Sequence, residues 1–122
     1  MARVLVADDA SFMRQMIREI VEAEGHEVVG EASDGDEAVE EYKRLHPDIV
    51  TMDIVMPRRS GIDAVKGIMA LEGGASIVMC SALGQETLVQ EALQAGAKDF
   101  IVKPFKPDVV IATIQKVLEK GD

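Results

Sequence analysis

Positive charge is scarce in this chain. Lys and Arg total 13 against 22 Asp and Glu, a formal net charge of −9 over 122 residues. Nucleic-acid backbones are held by basic surfaces that release counterions, and anionic membranes also attract Lys and Arg. Neither is an expected partner. Cysteine is nearly absent, and Cys80 alone excludes an intramolecular disulfide. No His stands at a strand end to activate it as a catalytic thiol, so it is expected to pack as a small apolar residue. No apolar run approaches the roughly 20 residues that cross a bilayer. The N-terminus, Met1-Ala2-Arg3-Val4-Leu5-Val6-Ala7-Asp8, turns acidic too soon for a signal peptide. A soluble, cytoplasmic protein is expected.

What the chain does have is apolar residue, at 48%, enough for a core without disulfides or a structural metal. The length suits one domain over 1–122. Short apolar runs recur: Val4–Ala7, Val28–Ala32, Ile49–Met52, Ile77–Cys80 and Phe100–Val102. The first, third and fourth are almost continuous in apolar character, as in strands covered on both faces.

Between the runs lie stretches of helical period, each with one apolar stripe. The first stripe is Phe12, Met13, Met16, Ile17, Ile20 and Val21; the last is Val110, Ile111, Ile114, Val117 and Leu118. Asp34 and Ser60 each precede an acid by three residues, which is close to a capping box. Gly25 and Gly96 stand where a left-handed helix end is wanted, and Pro107 suits a first helical turn. Five strand–helix units predict an α/β fold with right-handed crossovers and helices on both faces of a parallel sheet. Five units are too few for an eight-stranded barrel, which leaves an open, doubly wound, five-stranded sheet. Ligands of such sheets gather at the carboxyl ends of the strands.

Those ends carry the chemistry. Asp8 and Asp9 follow the first strand, Asp53 the third, Ser81 the fourth, and Lys103-Pro104 the fifth. Three carboxylates brought together repel one another, and a hard divalent cation such as Mg²⁺ (or Mn²⁺) compensates them through oxygen ligands. Lys103 adds a further positive charge. A carboxylate nucleophile beside a cation and an ammonium is equipped for phosphoryl transfer, which depends on positioning and charge neutralisation. Ser81 is placed to donate to a phosphoryl oxygen. Pro104 permits a cis bond after Lys103.

The ordered set Asp8-Asp9, Asp53 with Met56-Pro57 and Gly61, Ser81-Ala82, and Lys103-Pro104-Phe105 resembles the response-regulator receiver family over essentially the whole chain. Within that family it is similar to the single-domain chemotaxis regulators of the CheY type. The resemblance implies a flavodoxin-like (βα)5 sheet of order 2-1-3-4-5. It implies Asp53 as phosphoacceptor and Mg²⁺ ligand, Asp9 as direct Mg²⁺ ligand, Asp8 as ligand through water, and the Val55 carbonyl as a further ligand. Lys103 would pair with the phosphoryl group, Ser81 would swing toward it, and Phe100 would turn into the space vacated. The family takes its phosphoryl group from a histidine kinase and later hydrolyses it, sometimes with a phosphatase. The implied protein is a monomeric switch and not an enzyme acting on other substrates, with intrinsic autophosphorylation and autodephosphorylation. It would signal to a motility-motor switch or an adaptor through the face of the fourth helix, fifth strand and fifth helix. Lys98, Lys106, Lys116 and Lys120 are expected on or beside that face.

Some positions depart from the family pattern. Arg58 and Arg59 follow Asp53 where the second is commonly apolar, Phe100 lacks a tyrosine hydroxyl, and Ser81 stands where many relatives have threonine. Rival readings fare worse. A haloacid-dehalogenase-like phosphatase needs a second Asp two residues beyond its nucleophile, and residue 10 is Ala. A nucleotide or flavin module needs a first loop rich in Gly or Ser/Thr, whereas Asp8-Asp9-Ala10-Ser11 repels phosphate. A passive pseudo-receiver would have lost Asp53 or Lys103. A phosphorelay intermediate is the alternative within the receiver class.

Overall fold

The computed structural model describes residues 1–120; the last two residues of the expected 1–122 domain lie outside the described residues. Strands and helices alternate strictly: β1 (Arg3–Ala7), α1 (Ser11–Ala23), β2 (Glu27–Ala32), α2 (Gly35–Leu45), β3 (Ile49–Asp53), α3 (Gly61–Leu71), β4 (Ile77–Ser81), α4 (Glu86–Ala95), β5 (Asp99–Val102) and α5 (Pro107–Lys120). The five strands are parallel in the order β2-β1-β3-β4-β5. Asp53 and Ser81 prove to be the last residues of their strands.

Alternation along β1 shows how the two layers form. Leu5 and Ala7 join Val50, Met52, Ile77 and Met79 beneath α2, α3 and α4. Val4 and Val6 face the other way, with Ile49, Val78 and Ile101, against Ile17, Ile20, Val110 and Ile114 of α1 and α5. Both faces are therefore covered, which is why these strands read as unbroken apolar runs. Leu5, Ile49, Met52, Ile68, Ile77 and Met79 are completely buried, each stabilising the fold by roughly 1.5–3 kcal/mol.

The expected caps form. The Asp34 carboxylate accepts from the Glu37 N–H at 2.8 Å, Glu37 accepts from the Ser33 N–H at 2.7 Å, and Ser60 accepts from the Asp63 N–H at 3.2 Å. Gly25 and Gly96 both have positive φ.

One expectation needs correcting. Phe12 is 68% exposed and Met16 39%, because the core side of α1 is the narrower arc of Met13, Ile17, Ile20 and Val21. Of the four lysines expected on or beside the face of α4, β5 and α5, two make contacts within the chain. Lys98 donates to Gly74 O at 3.0 Å and Ser76 Oγ at 3.3 Å, and Lys116 pairs with Asp99 at 2.9 Å.

Candidate functional site

The order of the sheet reverses between β1 and β3, whose register places Ala7 against Met52. Asp8, one residue past β1, and Asp53, at the end of β3, thus emerge side by side where such sheets bind ligands. Asp8, Asp9 and Asp53 each offer an oxygen, all lying within 4.8 Å of one another. Asp8 and Asp53 are buried, at 4% and 8% exposure, whereas Asp9 is exposed.

Lys103 comes from one residue past β5. Its backbone N–H donates to Ser81 O at 2.7 Å, and the Lys103–Pro104 bond is cis. The ammonium reaches Asp8 Oδ2 at 3.1 Å and Asp53 Oδ1 at 3.3 Å. Burial lowers the Lys103 pKa, but the two carboxylates outweigh it and leave the value raised. The Asp53 pKa is raised as well, which for a carboxylate disfavours the charged form. Burial, and then repulsion from Asp8, hold its pKa at about 6 against the attraction of Lys103. One ammonium does not balance this pocket.

A hard cation fits the donor set. All three side-chain donors are carboxylate oxygens, and the exposed Asp9 leaves the group open to solvent. No described backbone N–H donates to the Val55 carbonyl in the loop after β3. Cys80, beside Asp53 in the sheet register, offers no thiolate, because burial pushes its pKa up to about 12.

Ser81 is buried at 2% exposure and Phe100 is 40% exposed. A cavity of about 110 Å³ lies between them, lined also by Ala82, Val89 and Val102. The structure thus brings Asp8, Asp9, Asp53 and Lys103 into one pocket, places Ser81 at the end of the neighbouring strand, and puts Phe100 in an outward position.

Two arginines and a glutamate near the site escaped the sequence reading. Arg14 donates to the Asp8 carbonyl at 2.7 Å and to Glu31 at 2.8 Å. Arg18 grips the same Glu31 at 2.6 Å. Burial raises the Glu31 pKa, but hydrogen bonds from Arg18 and Arg14 prevail and leave it lowered. The signal available was Glu31 itself, the one charge in the run Val28–Ala32. In the loop after β3, Arg58 adopts a positive φ and pairs with Asp34 at 3.4 Å, while Arg59 pairs with Asp36 at 3.1 Å. These are contacts to the start of α2 and not to the carboxylate pocket.

Comparison with known proteins agrees with this fold. The family model for the response regulator receiver domain matches residues 4–115. The chain is 58% identical to the chemotaxis protein CheY of Thermotoga maritima over 115 residues, covering 94% of this chain and 96% of that one. It is 55% identical to CheY of Bacillus subtilis over 116 residues, covering 95% and 97%. Among solved structures, the response regulator domain of Thermotoga maritima CheB superposes with a TM-score of 0.85 at 40% identity, covering 98% of this chain and 95% of that one. The receiver domain of NtrX from Brucella abortus gives a TM-score of 0.89 at 33% identity, covering 95% and 98%.

Proposed function

The chain belongs to the response regulator receiver family, as a CheY-like chemotaxis regulator, and from that membership we propose that Asp53 is its phosphoacceptor. The observation that carries the reading is the Asp8–Asp9–Asp53 cluster, within 4.8 Å, with the Lys103 ammonium against two of its members.

An ionised Asp53 oxygen attacks the phosphorus of a phosphohistidine on a histidine kinase. The new O–P bond forms as the P–N bond breaks, and the departing imidazole keeps the electron pair and regains a proton. Lys103 lies against the Asp53 carboxylate and compensates negative charge gathering there. Asp9 and Asp53 directly, Asp8 through water and the Val55 carbonyl would hold Mg²⁺ or Mn²⁺. Bound there, the cation supplies charge neutralisation for the phosphoryl oxygens. The buried Ser81 hydroxyl approaches a phosphoryl oxygen, and Phe100 turns into the cavity between the two residues, altering the face of α4, β5 and α5. That face is read by a downstream target, a motor switch or an adaptor. The chain acts as a cytoplasmic, monomeric switch whose only catalysis is its own phosphorylation and dephosphorylation, the latter assisted by a phosphatase.

The test is transfer from a chemotaxis histidine kinase carrying a radiolabelled phosphoryl group. Label should pass to the wild type and not to Asp53→Asn. Equal labelling of the two proteins would move the acceptor elsewhere.

A further inference from the structure

We propose that Arg14 is a positioning residue for the Asp8–Asp9 pair, clamping the peptide between them. The inference rests on reading those two residues as cation ligands. Every polar atom of Asp8 has a partner, and each comes from a different part of the chain. Its N–H donates to Ala32 O at 3.0 Å, its Oδ1 accepts from the Ala10 N–H at 2.9 Å, and its Oδ2 accepts from Lys103 at 3.1 Å. The remaining atom is the carbonyl oxygen, and Arg14 Nη1 fills it at 2.7 Å.

That carbonyl belongs to the planar peptide joining Asp8 to Asp9. Holding it fixes ψ of Asp8 and the plane of that peptide, and so the position of the Asp9 Cα from which the side chain departs. Asp9 needs this support more than Asp8 does. It is exposed and takes part in none of the ion pairs among the described residues. Its aim therefore depends on the backbone that carries it.

Arg14 is itself fixed. Its Nε donates to Glu31 Oε1 at 2.8 Å, and the other oxygen of Glu31 is held by Arg18 at 2.6 and 3.0 Å. The planar guanidinium fork spans strand β2 and the Asp8 carbonyl at once, which a single ammonium does not reproduce. Residues that orient metal ligands from behind influence affinity strongly.

Charge and position make opposite demands here, which gives the test its power. The Arg14 guanidinium, 2.7 Å from the Asp8 carbonyl, is a positive charge that by itself opposes a cation there. If Arg14 acted by charge alone, its removal would tighten Mg²⁺ binding. As a positioning residue, its removal loosens binding. The experiment is calorimetric titration of Mg²⁺ alone into the full chain, for wild type, Arg14→Ala, Arg14→Lys and Arg18→Ala, with urea unfolding run beside it.

Arg14→Ala should bind about tenfold more weakly than wild type. Arg18→Ala, which loses a Glu31 contact but none to Asp8, should leave affinity little changed. Equal or tighter binding by Arg14→Ala overturns the inference. If that variant does not fold, Arg14→Lys decides: weaker binding with the charge retained supports positioning, and unchanged binding overturns it. A wild type that takes up no Mg²⁺ overturns the cation reading beneath the inference.

Discussion

The Lys103 ammonium stands 3.3 Å from an Asp53 oxygen, and still the Asp53 pKa lies near 6. Burial and the adjoining Asp8 carboxylate outweigh the attraction. In the metal-free protein the ionised acceptor is thus held at a cost, and pH controls that cost. An ordinary unfolded aspartate titrates near 3.9. Because the folded value is the higher one, the penalty is absent below about pH 4, grows between the two values, and is complete above about pH 6.

It follows that Asp53→Asn should stabilise the metal-free protein at pH 7.5, by on the order of 2–3 kcal/mol. The gain should shrink toward nothing at pH 4. Urea unfolding in the presence of a chelator at both pH values measures it. An Asn variant less stable than wild type at pH 7.5 would show that the Lys103 pair, and not the repulsion, dominates.

The same proton competes with a cation. Below about pH 6, Mg²⁺ binding must displace it, so apparent affinity should fall by up to about tenfold per pH unit. Calorimetry at pH 7.5 and 5.0 is sufficient. Affinity independent of pH across that range would remove Asp53 from the coordinating set.

Gly61 opens α3, and a Cβ there would collide with the carbonyl oxygen of Asp53. The obstacle is backbone, which has little room to yield. Gly61→Ala should therefore lower stability by about 1–3 kcal/mol and also weaken Mg²⁺ binding by moving Asp53. Wild-type stability in urea would mean that the loop relaxes freely.

Asp34 and Asp36 both meet an arginine of the β3–α3 loop, but only Asp34 also caps α2. Exposed ion pairs are worth about 0–1 kcal/mol, whereas a lost N-cap costs about 1 kcal/mol. Asp34→Ala should accordingly destabilise more than Asp36→Ala in thermal or urea unfolding. The reverse ranking would make the Arg59 pair the stronger tie.

The layered sheet was legible because period-2 and period-3.6 patterns differ over short windows, and because Asp8, Asp53, Ser81 and Lys103 all stand at strand ends. The strand order came with the family resemblance, since five alternating units do not by themselves say which strand pairs with which. The width of a buried helical arc was misread, as Phe12 and Met16 show. Their apolar character is the same as that of Met13 and Ile17, and only the packed neighbours decide between them. Long-range polar contacts were also invisible. Nothing in one dimension brings Arg14 to the Asp8 carbonyl and Glu31 together, or Lys116 to Asp99. His46 ends α2 in a left-handed conformation that composition alone would assign to Gly.

The central claim is that Asp53 accepts a phosphoryl group in a pocket needing a divalent cation. Its most direct test is intact mass after incubation with a small-molecule phosphodonor, with and without Mg²⁺, for wild type and Asp53→Asn. One added phosphoryl group, dependent on Mg²⁺ and missing from the variant, is the predicted result. No added mass in a wild type shown to bind Mg²⁺, or the same addition on the variant, would contradict it.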